Sequence, residues 1–441
     1  MKRIATYADA EAYLISTIGE VVSRRTSYKL DRITALLREL GNPHRAYPTI
    51  HVGGTSGKGS TVTMLASALA AAGRLTGMHT KPHLHAMTER AAINGTPIDP
   101  RRFAELLAEM MPALEATVAR YGRPTYYETL LALAFTHFAR ERVEVAVIEV
   151  GLGGRLDGTN VIVPLVAAIT SIGRDHTEVL GETLEAIASE KAGIAKRGVP
   201  LVVAAVPPAA RAVIERHAGD AGAPVVNVDD VVKVVSDGSA APGTQRVVAT
   251  TKRGTYDFDF PLLGVFQRRN AATAIAVLEQ LPRTLRPEPR DVIEAFARLR
   301  VPGRMELIAG RPPLIFDIAH NADKAEALVA SLHEAFPGRR AHYVVAIGET
   351  KDARRIIEAL ARLPCTFTFT SFATQGRTAI APQRLATIAE SIGSWGRAIG
   401  DPTEALQVAR RMAAIDDVIV VTGSTFVVAE LRQWYLPSAV A

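Results

Sequence analysis

The chain has 441 residues, 48% of them hydrophobic, with 51 Lys and Arg against 45 Asp and Glu for a formal net charge of +6. That length exceeds one comfortable core and predicts two or three domains, and a single cysteine, Cys365, excludes an intramolecular disulfide or a cysteine-rich metal site. The basic residues are scattered rather than interleaved with aromatics, and the longest apolar run, Val161–Ile172, is broken by Pro164 and is shorter than the roughly 20 residues of a bilayer span, so neither nucleic acid nor membrane is an expected partner. Met1 to Ser16 mixes Lys2 and Arg3 with Asp9 and Glu11 and has no apolar signal core, which makes the cytoplasm the expected setting.

The first predicted strand, Thr49–Val52, runs into Gly53-Gly-Thr-Ser-Gly-Lys-Gly-Ser60 and then into a helix predicted over Thr61–Ala72. A strand, a glycine-rich turn and a helix in that order make a phosphate cradle: backbone N–H groups turn inward, the helix points its positive end at the anion, Lys58 adds charge and Ser60 offers a hydroxyl to Mg2+. The general pattern G-x4-G-K-[ST] is varied here, because Val52 stands at its first glycine and Gly59 separates Lys58 from Ser60. A nucleoside triphosphate is the expected ligand; the alternative is a plain glycine turn with a surface lysine.

Helices predicted over Arg101–Tyr121 and Glu128–Arg140 precede a strand at Val143–Val150, and further strands follow at Leu165–Ile169 and Leu201–Ala205. This alternation predicts a mostly parallel sheet wrapped by helices. Glu149 interrupts an apolar strand near its carboxyl end, where open parallel sheets bind ligands, and a buried carboxylate there calls for a cation. Thr170-Ser-Ile-Gly-Arg-Asp-His-Thr-Glu-Val-Leu-Gly181 places Asp175 and His176 in a loop at the same edge, and Lys191 follows on a helical segment.

Short β-rich runs at Val231–Val235, Gln245–Thr251 and Thr255–Phe260 surround Ser236-Asp-Gly-Ser-Ala-Ala-Pro-Gly243 and predict a small antiparallel insertion that extends the first domain's edge. Leu299-Arg-Val-Pro-Gly-Arg304 reads as a hinge. Beyond it βα alternation restarts, with Leu314–Ile318, Ala322–Phe336, His342–Ile347 and Val418–Val421. The expected division is an ATP-binding domain over 1–300 and a smaller Rossmann-like α/β domain over 304–441.

These segments together resemble the folylpolyglutamate synthase/dihydrofolate synthase branch of the Mur ligase superfamily, in order and over almost the whole chain. The similarity lies in Ser27-Tyr-Lys-Leu-Asp-Arg-Ile-Thr-Ala-Leu-Leu-Arg-Glu-Leu-Gly41, the cradle Gly54–Ser60, Glu149–Asp157, Asp175–Gly181, Glu190–Ile194, Pro302-Gly-Arg304, Asp317-Ile-Ala-His-Asn321 and Thr422-Gly-Ser424.

The resemblance implies an α/β protein with a P-loop-type parallel-sheet ATPase domain, a small antiparallel insertion and a C-terminal Rossmann-like domain. It implies an ATP-dependent ligase that joins L-glutamate to a carboxylate acceptor, of folate or dihydropteroate type, through an acyl phosphate. ATP would lie on Gly54, Thr55, Ser56, Gly57, Lys58, Gly59 and Ser60, with contacts from Asn270, Arg304, Asp317 and His320. Two Mg2+ sites are implied, one on Ser60 and Glu149, the other held by Glu149, His176 and a carbamylated Lys191. Lys58, Lys191 and His176 would be catalytic, and Lys81, Pro82, His83, Arg155 and Asp157 would meet the acceptor. A monomer working on small molecules is implied, its second domain closing about residues 299–304.

Departures from the branch pattern bear on the acceptor. Lys81 stands where Ser-Pro-His-Leu is usual, Phe266 where a histidine commonly precedes Gln267, and Ile318 where a glycine lies between Asp317 and Ala319. Lys81 reads either as a contact to a more anionic acceptor or as a salt-bridged loop residue. Ligases of the same mechanism acting on a non-folate carboxylate stay open as an alternative, as does a nucleotide switch without ligase chemistry.

Overall fold

The computed structural model describes residues 4–18, 30–235, 243–373 and 377–437. Ser27 to Lys29 of the N-terminal signature, and 236–242 of the predicted insertion, lie outside these residues. Two compact units form. One holds the described residues up to Val235 with Val247–Phe258 and Arg269–Ala297, the other 243–246, Asp259–Arg268 and the described residues from Arg298 onward. The division is therefore not a single cut, since the chain passes between the units around the antiparallel segment.

The first unit is built on eight strands: β1 (Thr49–Gly53), β2 (Thr76–His79), β3 (Ala92–Ile93), β4 (Thr96–Pro97), β5 (Val145–Glu149), β6 (Val166–Ile169), β7 (Leu201–Val203) and β8 (Val225–Asn227). Their order is β4-β3-β2-β5-β1-β6-β7-β8, with β3 and β4 antiparallel and the rest parallel. Every residue of β1, β5, β6 and β7 is buried, as expected of apolar strands covered on both faces. Helices Pro100–Tyr121 and Tyr126–Arg140, started by Asp99 and by a Thr125–Glu128 capping box, pack Phe103, Leu107, Leu131, Phe135 and Phe138 into one core with Ile148. A second core joins Ile187, Ala188, Ala192 and Ile194 to Ile169, Leu201 and Val203.

The helix after the cradle spans Lys58–Ala71, three residues earlier than the sequence suggests. Gly57 caps it with φ +85°, a conformation that glycine adopts without the usual steric cost, so Lys58, Gly59 and Ser60 form the helix's first turn. Sheet order then decides the site: the carboxyl ends of β2, β5, β1 and β6 lie side by side, and the turns after them share one edge.

Strands β9 (Lys233–Val235), β10 (Gln245–Thr251) and β11 (Gly254–Phe260) make a separate three-stranded sheet instead of lengthening the edge of the first.

The second unit holds β12 (Glu306–Ile308), β13 (Leu314–Phe316), β14 (Ala341–Val345), β15 (Cys365–Phe369), β16 (Gly396–Ala398) and β17 (Val418–Thr422), ordered β12-β13-β17-β14-β15-β16 with β12 antiparallel. Tyr343, Phe367 and Phe369 stack in its core, and Arg432 clasps Glu306 through Nε and Nη at 2.8 to 3.0 Å. No described helix is long and apolar enough to cross a membrane.

Candidate active site

The cradle is braced from β6. Thr55 N–H donates to the Ser171 carbonyl at 2.9 Å, Ser56 N–H to Ser171 Oγ at 2.8 Å, and Gly173 N–H to Thr55 Oγ1 at 3.0 Å. Thr170 Oγ1 donates to the Ser56 carbonyl at 2.6 Å. Two glycines are required here: a Cβ on Gly54 would lie 2.2 Å from Thr170 Oγ1, and one on Gly57 would lie 2.3 Å from Asn270 Oδ1. That contact sets the buried Asn270 directly against the cradle. Lys58 Nζ donates to the carbonyls of Gly54 at 2.9 Å and Thr55 at 3.2 Å, and Lys191 Nζ donates to Gly54 at 3.0 Å. The structure thus brings together Gly54, Thr55, Ser56, Gly57, Lys58, Asn270 and Lys191, with Gly59 and Ser60 on the helix that follows.

Glu149 is 2% exposed, ends β5 opposite Val52 in register, and accepts the Lys81 N–H on Oε2 at 3.0 Å. Ser60 is equally buried in the first turn of its helix. A carboxylate and a hydroxyl are the hard oxygen donors Mg2+ takes, and Mg2+ keeps waters and phosphate oxygens and so needs few protein ligands. His176 opens a short helix, Thr177–Leu180, at φ +53°, its ring 3.6 Å from Glu178 and 3.9 Å from Asp175. Lys191 is 4% exposed.

The loop after β2 is tied by Glu89, whose carboxylate accepts from the N–H groups of Leu84, His85 and Ala86 at 2.7 to 2.9 Å. Arg90 donates to His83 Nδ1 at 2.9 Å and lies over the Tyr126 ring. Burial and the Arg90 charge hold His83 down at about 4, so it accepts as a neutral ring. Pro82 follows Lys81 through a cis peptide bond. Burial and the Arg90 charge push the Lys81 ammonium down, while Glu149, Asp157 and Asp175 push it back up.

Asp157 is pinned. Its oxygens accept from Leu152 N–H at 2.7 Å, Thr159 N–H at 3.0 Å, Thr159 Oγ1 at 2.5 Å and Tyr127 Oη at 3.3 Å. His51 Nε2 donates in turn to Thr159 Oγ1 at 2.8 Å. Arg155 pairs with Glu190 at 2.7 Å on the helix that carries Lys191.

Within the second unit, Asp317 follows β13 and accepts the N–H groups of Met305 and Ala319, each at 2.9 Å; burial pushes its carboxyl up against the pull of Arg304. His320 donates through Nδ1 to the Ile318 carbonyl at 2.9 Å and accepts the Lys324 ammonium on Nε2 at 3.1 Å, which makes it a neutral ring.

Sequence reasoning missed Thr170 and Ser171 as the brace of the cradle, and it missed Glu89, Arg90 and Tyr127. No spacing signals them. Hydroxyls after a strand acquire this meaning once β6 lies beside β1.

Comparison with known proteins gives consistent results. The family described as Mur ligase middle domain matches residues 52–278, and that described as Mur ligase, glutamate ligase domain matches residues 303–425. The chain is 33% identical over 408 residues to the dihydrofolate synthase/folylpolyglutamate synthase of Bacillus subtilis, covering 92% of this chain and 94% of that protein. It is similar in structure to Mycobacterium tuberculosis folylpolyglutamate synthase complexed with ADP and AMPPCP, with a TM-score of 0.89, 31% identity and 98% and 99% of the two chains covered. Escherichia coli FolC in complex with DHPP and ADP gives a TM-score of 0.87 at 27% identity over all of both chains.

Proposed function

We propose a glutamate-ligase reaction for this chain, which belongs to the folylpolyglutamate synthase/dihydrofolate synthase branch of the Mur ligase superfamily and is an ATP-dependent ligase of an acid and an amino acid. The acceptor's carboxylate attacks the γ-phosphorus of ATP, the bond from that phosphorus to the bridging oxygen breaks, and ADP leaves. The amine of L-glutamate then attacks the acyl phosphate, an amide forms, and phosphate departs with loss of the amine proton. The acceptor is a carboxylate of folate or dihydropteroate type, in keeping with the relatives' names.

Residues of the chain divide the work. N–H groups of the cradle and the first turn of Lys58–Ala71 bind phosphate oxygens, and Lys58 swings from its own loop carbonyls to the β/γ-phosphates. Ser60 and Glu149 would hold Mg2+, and His176 with a carbamylated Lys191 and Glu149 would hold a second. When bound, the ions neutralise the charge that gathers on the phosphoryl group. Burial of Lys191 favours the neutral amine that a carbamate needs. Asn270, Arg304, Asp317 and His320 contact ATP, and residues 1–300 and 304–441 act as nucleotide and glutamate-ligase domains. Pro82, His83 and Arg155 meet the acceptor, and Lys81 and Asp157 shape its side of the edge. A cytoplasmic monomer without a nucleic-acid partner completes the reading, supported by scattered basic residues.

The observation that carries the proposal is the braced cradle with Glu149 on the adjoining strand. Its test is ADP release with dihydropteroate, tetrahydrofolates and other pterin or deazaflavin carboxylates, each with and without L-glutamate. Glutamate-dependent release with a folate-type acceptor is expected; release with a non-folate carboxylate alone would transfer the reading to that class.

A further inference from the structure

The carboxyl ends of β13 and β17 lie side by side in the second unit, with Phe316 opposite Val421, and short turns lead from them into the helices Ala322–Ala335 and Thr425–Tyr435. Open α/β sheets take ligands at this edge. The turn after β13 is held from two sides. Ile318 N–H donates to the Gly303 carbonyl at 2.9 Å, and Gly423 N–H, from the turn after β17, donates to the Ala319 carbonyl at 2.9 Å. Asn321 then caps its helix by accepting the Lys324 N–H on Oδ1 at 2.9 Å, which sets Lys324 in the first turn. Within this frame His320 commits both ring nitrogens. Its Nδ1 lies 2.9 Å from the Ile318 carbonyl, which can only accept, so the ring proton is on Nδ1; Nε2 keeps its lone pair and accepts from Lys324 Nζ at 3.1 Å. A ring engaged in this way brings no charge to a ligand. The charge belongs to the lysine, and the first turn of a helix is also where the backbone favours an anion.

We infer that Lys324 is a substrate-binding residue of the second unit: its ammonium takes an anionic oxygen, of a nucleotide phosphate or of the incoming amino acid's carboxylate, and His320 is the positioning residue that steers it there. The inference rests on the reading that places His320 at the nucleotide of a glutamate ligase, and it moves the polar contact from the ring to the ammonium. Its physical basis is the choice of partner. A lysine stem is long and flexible, and a fixed imidazole acceptor at its far end restricts that freedom before the anion arrives. A carboxylate in the ring's place would orient the ammonium equally well and cancel its charge. The neutral ring orients it and leaves the charge for the substrate.

Kinetics with ATP and L-glutamate varied in turn, at a saturating folate-type acceptor, and calorimetry of ADP binding test this. Lys324→Met, which keeps the aliphatic stem, is expected to raise one KM on the order of tenfold, with a smaller change in kcat. A rise for ATP matched by weaker ADP binding identifies the phosphate; a rise for glutamate with unchanged ADP binding identifies the carboxylate. Lys324→Arg, which keeps the charge, is expected to recover most of the loss. The parent's KM is expected to climb more steeply with salt than that of Lys324→Met, a dependence that a merely structural lysine lacks. His320→Ala is expected to raise the same KM severalfold in the parent and to add little to Lys324→Met, because the ring acts through the lysine. Unchanged KM values and ADP binding in a folded Lys324→Met, with His320→Ala impaired, overturn the role of Lys324 and leave His320 at the nucleotide; losses that add in the double variant overturn the ring as its positioning residue. Unchanged binding in both single variants overturns the placement of His320 itself, and the inference with it.

Discussion

Lys58 and Lys191 donate to the same atom: the carbonyl oxygen of Gly54 accepts from one Nζ at 2.9 Å and from the other at 3.0 Å. One lysine belongs to the cradle's own helix and the other to a helix beyond β6. Two like-charged groups on one oxygen would repel each other, and the proposed reaction would relieve that repulsion in two ways: Lys58 would move onto phosphate, and a carbamate on Lys191 would reverse that residue's charge.

Lys58→Ala and Glu149→Ala are each expected to abolish turnover, by at least about a hundredfold, through lost phosphate charge compensation and a lost metal ligand. Circular dichroism and melting curves are expected to stay near the parent's. Glutamate-dependent phosphate release at the parental rate in either variant would refute the assigned site.

For Lys191 the expected signature is chemical rescue. Lys191→Ala loses activity, and acetate diffusing into the vacated space restores part of it, because a carboxylate replaces the carbamate's charge. A plain ammonium at this position predicts no response to acetate, so an acetate titration separates the two.

Gly57→Ala tests the cradle's geometry. The new methyl meets Asn270 Oδ1, and φ of +85° costs an L-residue about 1 to 2 kcal/mol. ADP affinity measured by calorimetry is expected to fall at least about tenfold. The double change Gly57→Ala, Asn270→Ala relieves the clash and not the backbone strain, so it is expected to recover only part of the loss.

Stability is expected to fall on mild acidification. Burial holds His44, His79 and His83 down at about 4 and His51 at about 3, all below the ordinary histidine value of 6.5. The unfolded chain therefore binds more protons between about pH 6.5 and 4, so stability is full above 6.5 and declines as the pH drops through that window. Melting temperatures from pH 7.5 to 4.5 check this. A His51→Asn variant is expected to show a shallower slope, and a parent whose melting point rises toward pH 5 would contradict the account.

Much of the fold and the heart of the site are legible in the sequence, because they rest on anomalies within a regular pattern. Glu149 is conspicuous as an acid in an apolar strand, and Gly54, Gly57 and Lys58 as a turn between a strand and a helix. The start of the helix at Lys58 escapes notice because Gly57 and Gly59 look like loop residues, while a left-handed Gly57 is in fact its cap. The Lys81 N–H bond to Glu149 escapes for another reason: it depends on β2 lying beside β5, an order that no periodicity encodes. The antiparallel strands were readable as strands, but their separation from the main sheet depends on long-range pairing. Thr170 and Ser171 are ordinary hydroxyls until that pairing sets them against the cradle.

The ties from Thr170, Ser171 and Gly173 have a thermodynamic consequence for the nucleotide. A phosphate loop that becomes ordered only on binding adds its lost conformational freedom to the dissociation constant. Here the loop's carbonyls and N–H groups are held by neighbours that fold with the sheet. Its ordering is therefore part of the folding free energy, and binding of the anion does not bear that cost again.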